Sequence, residues 1–185
     1  MSHISLRPFT RLDFPGLIGW ITSRELMVQW AGPTEFAFPL TEAQLEKYLA
    51  GCEGERPLRR ACTATTGQGD ACGHIEIGAI SYENNSASLC RVFVAPEYRG
   101  TGVCTPMVRQ ALAIGFDELG LRRIDLRVYA FNTPGIRCYE KAGFVKEGLL
   151  RKSQKVGDQL WDTVVMGVLR EEWVEVKSPQ APAAH

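Results

Sequence analysis

The residues best suited to bind a ligand lie in a glycine-bearing loop, Arg99–Thr105, between a predicted strand and an amphipathic helix. Such a loop presents backbone N–H groups at a helix N-terminus, where the helix dipole also favours an anion. Gly100 and Gly102 lack side chains that would keep a phosphate away, and Arg99 adds a positive charge. Two better-known phosphate loops are excluded, because no Gly-Lys-Ser/Thr occurs and the third glycine of Gly-x-Gly-x-x-Gly is absent. The loop alone fits an anion site and a structural turn equally well.

Tyr139 is a second candidate for chemistry, in a predicted short helix that ends before Phe144. A tyrosine hydroxyl has an ordinary pKa of about 10, so it keeps its proton at neutral pH and can donate it to a leaving group. A tyrosine here would equally suit packing between the helix and the sheet, beneath Phe144. The tyrosine by itself leaves both interpretations open.

Two blocks of sequence resemble the GNAT superfamily of N-acetyltransferases. Arg99-x-x-Gly102-x-Cys104 is similar to the family pattern R/Q-x-x-G-x-G/A. After an intervening helix and strand, the segment from Asn132 to Phe144 resembles N-x-x-A-x-x-x-Y-x-K-x-G-F, with Tyr139 at the tyrosine. The resemblance extends from Ile4 to about Glu172. Cys104 departs from the usual glycine or alanine.

This resemblance implies a sheet splayed between its fourth and fifth strands, with acetyl-CoA as co-substrate in the opening. The acetyl group would move to a primary amine by direct attack, with Tyr139 as the general acid that protonates the departing thiolate. The fourth strand would offer backbone groups to the pantetheine arm, and a backbone N–H near Val94 would stabilise the oxyanion. The implied cofactor-binding residues are Phe93, Val94, Arg99, Gly100, Thr101, Gly102, Cys104, Thr105 and Asn132, and no metal is implied.

The acceptor side is less well defined by the sequence. Glu76 lies mid-strand among apolar residues, where it fits a solvent-facing position, a general base or a ligand for the amine. His74 shares its face by alternation and is an alternative base, or a surface or core histidine. Aromatic rings beside a carboxylate suit a cationic amine, so Trp30, Glu35 and Trp161 are predicted to contact the acceptor, although core packing explains each aromatic residue equally well. The arginines of segment 56–60 suit the 3′-phosphate of CoA or a solvated edge.

Within the superfamily, the chain resembles the group that contains ribosomal-protein N-terminal acetyltransferases and polyamine acetyltransferases. The acceptor implied is therefore a small-molecule amine or a protein N-terminus. The alternative is a non-catalytic module that senses acetyl-CoA without turnover. The sequence leaves open whether the chain forms a homodimer.

The elements around these residues predict one mixed α/β domain over residues 1–176, with a flexible tail at 177–185. A strand at Ile4–Phe9 and two helices are followed by a three-stranded meander, the glycine loop with its helix, and a strand at Arg123–Tyr129. A short helix at Thr133–Ala142 and a final hairpin complete the order β-α-α-β-β-β-α-β-α-β-β. The fold class predicted is a mostly antiparallel central sheet flanked by helices.

Composition excludes several other functions. The 185 residues contain 21 Lys and Arg and 21 Asp and Glu, so the formal charge is zero, unlike a general nucleic-acid binder. No apolar run could span a bilayer, and the N-terminus lacks a signal peptide, so a cytoplasmic location is expected. Six cysteines and three histidines show no metal-ligand spacing. The cysteines are expected to be free thiols in a reducing cytoplasm.

Overall fold

The computed structural model describes residues 4–177, which form a seven-stranded sheet with helices on both faces. The strands are β1 (Ile4–Pro8), β2 (Arg60–Thr66), β3 (Ala71–Ser81), β4 (Ser86–Val94), β5 (Arg123–Tyr129), β6 (Val145–Val156) and β7 (Gln159–Leu169). The helices are α1 (Phe14–Trp20), α2 (Arg24–Ala31), α3 (Glu42–Ala50), α4 (Cys104–Ala113), α5 (Thr133–Ala142) and α6 (Arg170–Lys177). Short 3₁₀ turns lie at Arg11–Asp13 and Pro96–Tyr98, and a π-helical turn at Ile114–Glu118 extends α4.

The strand order is β1-β2-β3-β4-β5-β7-β6, and β4 and β5 are the one parallel pair of neighbours in the described sheet. They pair only where Ser86–Ser88 face Arg123–Asp125, and after Ser88 the two strands part. The rest of β4 therefore has no strand on its β5 side. The predicted mixed sheet, splayed between its fourth and fifth strands, is confirmed.

Two hydrophobic cores lie on opposite faces of this sheet. Ile75 and Ile77 of β3 pack in the larger core, together with α4 and α5. The smaller core holds the buried residues of α1, α2 and α3 together with Phe93 of β4. Because side chains alternate along a strand, His74 and Glu76 of β3 face the smaller core. Both are buried, so the interpretation of Glu76 as a solvent-facing residue is wrong.

Two helices were not expected from the sequence. In α2, the Ser23 hydroxyl caps the helix by accepting from Leu26 N at 3.1 Å, and its buried face consists of Met27 and Trp30. Eight residues give too few apolar repeats for the helical period to stand out. Helix α6 is mostly charged and docks through Trp173, which stacks on Phe116 at 6.1 Å. Apart from Lys177, the predicted flexible tail lies outside the described residues.

None of the helices within residues 4–177 has the length and apolar character needed to cross a membrane.

Candidate active site

The glycine loop has the geometry of an anion site. Gly100 and Gly102 have φ of 77° and 87°, a region that side chains with a Cβ rarely adopt, and a Cβ at either position would meet nothing within 4 Å. Thr101 stabilises the loop, because its hydroxyl donates to Tyr98 O at 2.7 Å. Helix α4 then begins at Cys104, and Pro106 falls in its first turn, where a missing N–H costs nothing. The open side of the loop thus faces a helix N-terminus that favours a phosphate.

Arg99 ties this loop to the splayed strand. Its Nε donates to Val94 O at 3.2 Å, and its guanidinium lies 5.1 Å from the centroid of the Phe93 ring. Phe93 is buried and stacks on Trp20 at 6.0 Å. The structure therefore brings the predicted cofactor residues of β4 and of the loop together at the mouth of the opening between β4 and β5.

Helix α5 holds Tyr139 in the larger core, 8% exposed, with its ring edge-on to Phe144 at 5.9 Å. Burial, reinforced by the Cys90 thiol of β4, raises the pKa of the Tyr139 hydroxyl well above 10, so the side chain is a neutral phenol. Tyr139 therefore packs beneath Phe144 and also keeps its hydroxyl proton, so the packing interpretation does not exclude the general-acid one. Asn132 caps the same helix, since its Oδ1 accepts from Gly135 N at 3.1 Å.

The cysteines differ from expectation at one pair. Cys104 and Cys138 form a disulfide, so the prediction of free thiols is wrong for these two residues. The Thr105 hydroxyl also lies 3.7 Å from Cys138 Sγ. The first turn of α4 is thereby joined covalently to α5, next to Tyr139. Cys52, Cys62, Cys72 and Cys90 are free.

A buried polar cluster lies on the other face of the sheet, around Glu76. The Tyr48 hydroxyl donates to Glu76 Oε2 at 2.5 Å and lies 3.0 Å from His74 Nε2. Arg91 Nε lies 2.9 Å from the same Oε2, which makes an ion pair although the N–H is not aligned as a hydrogen bond. Burial raises the pKa of the Glu76 carboxyl, while Arg91 and the Tyr48 hydroxyl oppose the rise. Burial also raises the pKa of Tyr48 well above its usual value.

Glu35 is drawn into the same cluster. It pairs with Arg59, and its Oε2 lies 3.4 Å from Arg91 Nη2. Arg59 stacks over the Tyr48 ring at 4.8 Å, so this arginine of segment 56–60 turns inward instead of lying at a solvated edge. Trp30 Nε1 donates to Arg91 O at 2.9 Å, and its ring stacks on Phe36 at 5.2 Å. The predicted acceptor residues Trp30 and Glu35 therefore lie together beside Glu76.

An open pocket of about 420 Å³ adjoins this cluster, with Glu35, Phe36, Lys47 and Tyr48 in its wall. Trp161 lies elsewhere: it packs edge-on against Tyr129 and Phe131, each at 4.9 Å. Tyr129 connects that aromatic group to α2, because its hydroxyl donates to Val28 O at 3.4 Å. The structure thus places Trp161 on the β5–β7 side and the other predicted acceptor residues on the β3–β4 side.

Comparison with known proteins identifies the family. Residues 3–145 match the family described as the acetyltransferase (GNAT) domain. The chain belongs to the GNAT family. It is 41% identical to the uncharacterised N-acetyltransferase YokL of Bacillus subtilis over 76 residues, which are 41% of this chain and 43% of that protein. It is 25% identical to spermidine N(1)-acetyltransferase of Escherichia coli K12 over 95% of this chain and 91% of that enzyme.

Among solved structures, the chain is similar to spermidine N-acetyltransferase from Vibrio cholerae in complex with CoA and spermine. The TM-score is 0.80 at 26% identity, over 92% of this chain and 98% of that one. The protein is therefore an acetyl-CoA-dependent N-acetyltransferase. Its own residues fit the co-substrate, because the loop at Gly100 and Gly102 is open and β4 has no strand on its β5 side beyond Ser88.

Two residues of this GNAT site were missed from the sequence. Tyr48 lies on the buried face of α3 beside Leu45, so its position in the sequence indicates only a packing residue. Arg91 offered a signal, because it stands at an alternating position between Leu89 and Phe93, where a strand would place another apolar residue. A charged residue in that register is a reason to search for a buried partner.

His74 makes the stability of the enzyme depend on pH. It is buried, and burial with the nearby Arg91 lowers its pKa to about 3, whereas an unfolded histidine titrates near 6.5. Between these values the unfolded chain binds one more proton, so the free energy of unfolding falls by about 1.4 kcal/mol per pH unit as pH drops below 6.5. The free energy of unfolding is measured by urea titration between pH 5 and 6.5. In His74→Gln its slope against pH should be smaller by an amount that corresponds to about one bound proton. An unchanged slope would show that His74 is charged in the folded state.

Proposed function

We propose that the enzyme acetylates a primary amine by direct attack, with Tyr139 as the general acid. The neutral amine forms the new C–N bond, the C–S bond breaks, and Tyr139 gives its proton to the thiolate. The ammonium proton leaves to solvent, and solvent returns a proton to the Tyr139 phenolate. The observation that carries the proposal is a buried, protonated phenol near Cys90 of β4, on the helix that a disulfide joins to the first turn of α4. A backbone N–H of β4 near Val94 would stabilise the oxyanion.

The charges near the pocket disfavour an acceptor with several positive charges, so a monoamine or a protein N-terminus fits this pocket better. Glu35 is neutralised by Arg59 and Arg91, and Glu76 by Arg91. Lys47 adds a positive charge to the pocket wall. A polyamine carries several positive charges and needs unpaired carboxylates, which this cluster does not offer among the described residues.

Acetylation of spermidine is the second candidate. It is supported by the E. coli and V. cholerae relatives, which are named for that activity and align with more than nine-tenths of this chain. Both candidates share the cofactor site and Tyr139, and they differ only in the charge of the acceptor.

Thiol release from acetyl-CoA, measured with a panel of acceptors, tests the proposal. The panel contains a simple monoamine, a peptide with a free N-terminus, spermidine and an aminoglycoside, with the N-terminally acetylated peptide as the matched control. We expect the highest kcat/KM for the monoamine or the free peptide and no release with the blocked peptide. A clear preference for spermidine would favour the second candidate, and acetyl-CoA binding without release would support the sensor module.

A further inference from the structure

Strand β4 contains a bulge in the middle of the site. His74 of β3 faces Phe93, but Glu76 faces Cys90, so Arg91 and Val92 together oppose Ile75 alone. Arg91 has φ of 49°, a left-handed conformation that usually requires glycine. A side chain at this position persists only where its surroundings hold it.

The bulge decides which face each following side chain occupies. Before it, Ala87 and Leu89 pack in the larger core. After it, Val92 and Val94 pack against that core, while Phe93 enters the smaller one. An added residue shifts the alternation by one position, so the bulge sets the orientation of the segment that borders the opening between β4 and β5.

Arg91 is held through both its backbone and its side chain. Trp30 donates to its carbonyl oxygen at 2.9 Å. Its guanidinium group pairs with Glu76 and Glu35 and lies over the Tyr48 ring at 5.5 Å. With its side chain 11% exposed, Arg91 exchanges its hydration for these partners.

Glu76 is built into the fold as the partner of Arg91. The carboxylate is 1% exposed and accepts from the Tyr48 hydroxyl. Gly78 provides the space it occupies, because a Cβ there would overlap Glu76 Oε1. A carboxylate enclosed in this way meets Arg91 and does not reach an amine in the pocket.

We propose that Trp30, Glu35, Glu76 and Arg91 form a bulge clamp, which fixes the β4 backbone where it meets the thioester of acetyl-CoA. The inference rests on the proposed function and deepens it: Glu76 and Trp30 are positioning residues that act through Arg91, and they do not bind the acceptor. The clamp supplies rigidity to the cofactor side of the site.

Three variants and a double variant test the clamp. Arg91→Gly permits the left-handed backbone but removes the side chain, and Glu76→Gln removes the charge at constant size. Trp30→Phe removes the indole N–H together with one ring of the indole, and keeps an aromatic ring to pack on Phe36. We expect each to lower kcat, by tenfold or more for Arg91→Gly, and to raise the KM for acetyl-CoA. The KM for the amine should be unchanged in Glu76→Gln and Trp30→Phe, which leave Glu35 of the pocket wall paired with Arg59 and Arg91. Lys152→Gly, at an exposed position of β6 that has a similar left-handed φ of 51°, is the matched control and should behave as wild type.

The double variant Arg91→Gly/Glu76→Gln separates positioning from base catalysis. If Glu76 acts through Arg91, the double variant loses no more activity than Arg91→Gly alone, and the pH profile of kcat/KM keeps its shape. The clamp would be overturned, and Glu76 restored as a base or amine ligand, if the losses of the two single variants multiply in the double variant. A lost acidic limb or an altered KM for the amine in Glu76→Gln would have the same meaning. If the variants of Arg91 and Glu76 fail to fold, Trp30→Phe tests the clamp by itself, since wild-type kinetics in that variant would refute it. A failure of the proposed function can be distinguished from a failure of the clamp, because the wild-type enzyme would then release no thiol with any amine.

Discussion

Replacing Gly102 with Asp is expected to weaken acetyl-CoA binding by about 100-fold. The substitution places a carboxylate at the open side of the loop, where we expect the pyrophosphate to meet backbone N–H groups and the positive end of α4. Two like charges 5 Å apart repel by about 3 kcal/mol at an effective dielectric constant near 20, and solvent at an exposed loop reduces that value. Each tenfold loss of affinity corresponds to about 1.4 kcal/mol of binding free energy. The charge repulsion and the steric crowding by the new side chain together account for the expected 100-fold loss.

Gly102→Asn is the matched control for this prediction. Asn has the same size as Asp and tolerates the positive φ of this position about as well, but it carries no charge. We expect the Asn variant to bind roughly tenfold more tightly than the Asp variant in titration calorimetry, with both variants folded by circular dichroism. Equal affinity of the two variants would show that no anion lies at Gly102, and normal binding by Asp would remove the loop from the cofactor site.

The backbone elements of the cofactor half could be predicted from the sequence because their signals are local. The glycines of the loop, the start of α4 and the cap of α5 each depend on residues a few positions apart. Strand β5 and helix α5 have the predicted bounds, Arg123–Tyr129 and Thr133–Ala142. Such local rules favour one backbone conformation whichever distant residues later pack against it.

The polar cluster could not be predicted in the same way, because its contacts join distant segments. Glu76 meets Arg91 only because a bulge turns Arg91 out of the regular alternation, and no simple pattern of apolar and polar residues indicates a bulge. Tyr48 reaches Glu76 from α3, on the opposite side of the buried layer. The disulfide is a further example, since Cys104 and Cys138 become neighbours only when α4 packs against α5.

Tyr139→Phe is expected to lower kcat by about 100-fold and to leave the affinity for acetyl-CoA nearly unchanged. Phenylalanine keeps the ring that packs against Phe144, so the free energy of unfolding should change little, whereas the proton for the departing thiolate is lost. Because burial raises the pKa of Tyr139 above 10, its proton is present throughout pH 6 to 9. The wild-type pH profile in this range should therefore show no limb from Tyr139, and the loss in the variant should be the same at every pH.

The matched control is Tyr82→Phe, which removes another hydroxyl, one that donates to Pro57 O at the meander turn, away from the opening between β4 and β5. Single-turnover measurement of thiol release separates the chemical step from product dissociation, and calorimetry gives the affinity for acetyl-CoA. A 100-fold slower chemical step with unchanged affinity in Tyr139→Phe, and wild-type kinetics in Tyr82→Phe, would support the general acid. If the chemical step in Tyr139→Phe matched wild type, water would be the proton donor and Tyr139 a packing residue. A weaker affinity with an unchanged chemical step would instead mean that the hydroxyl holds the co-substrate.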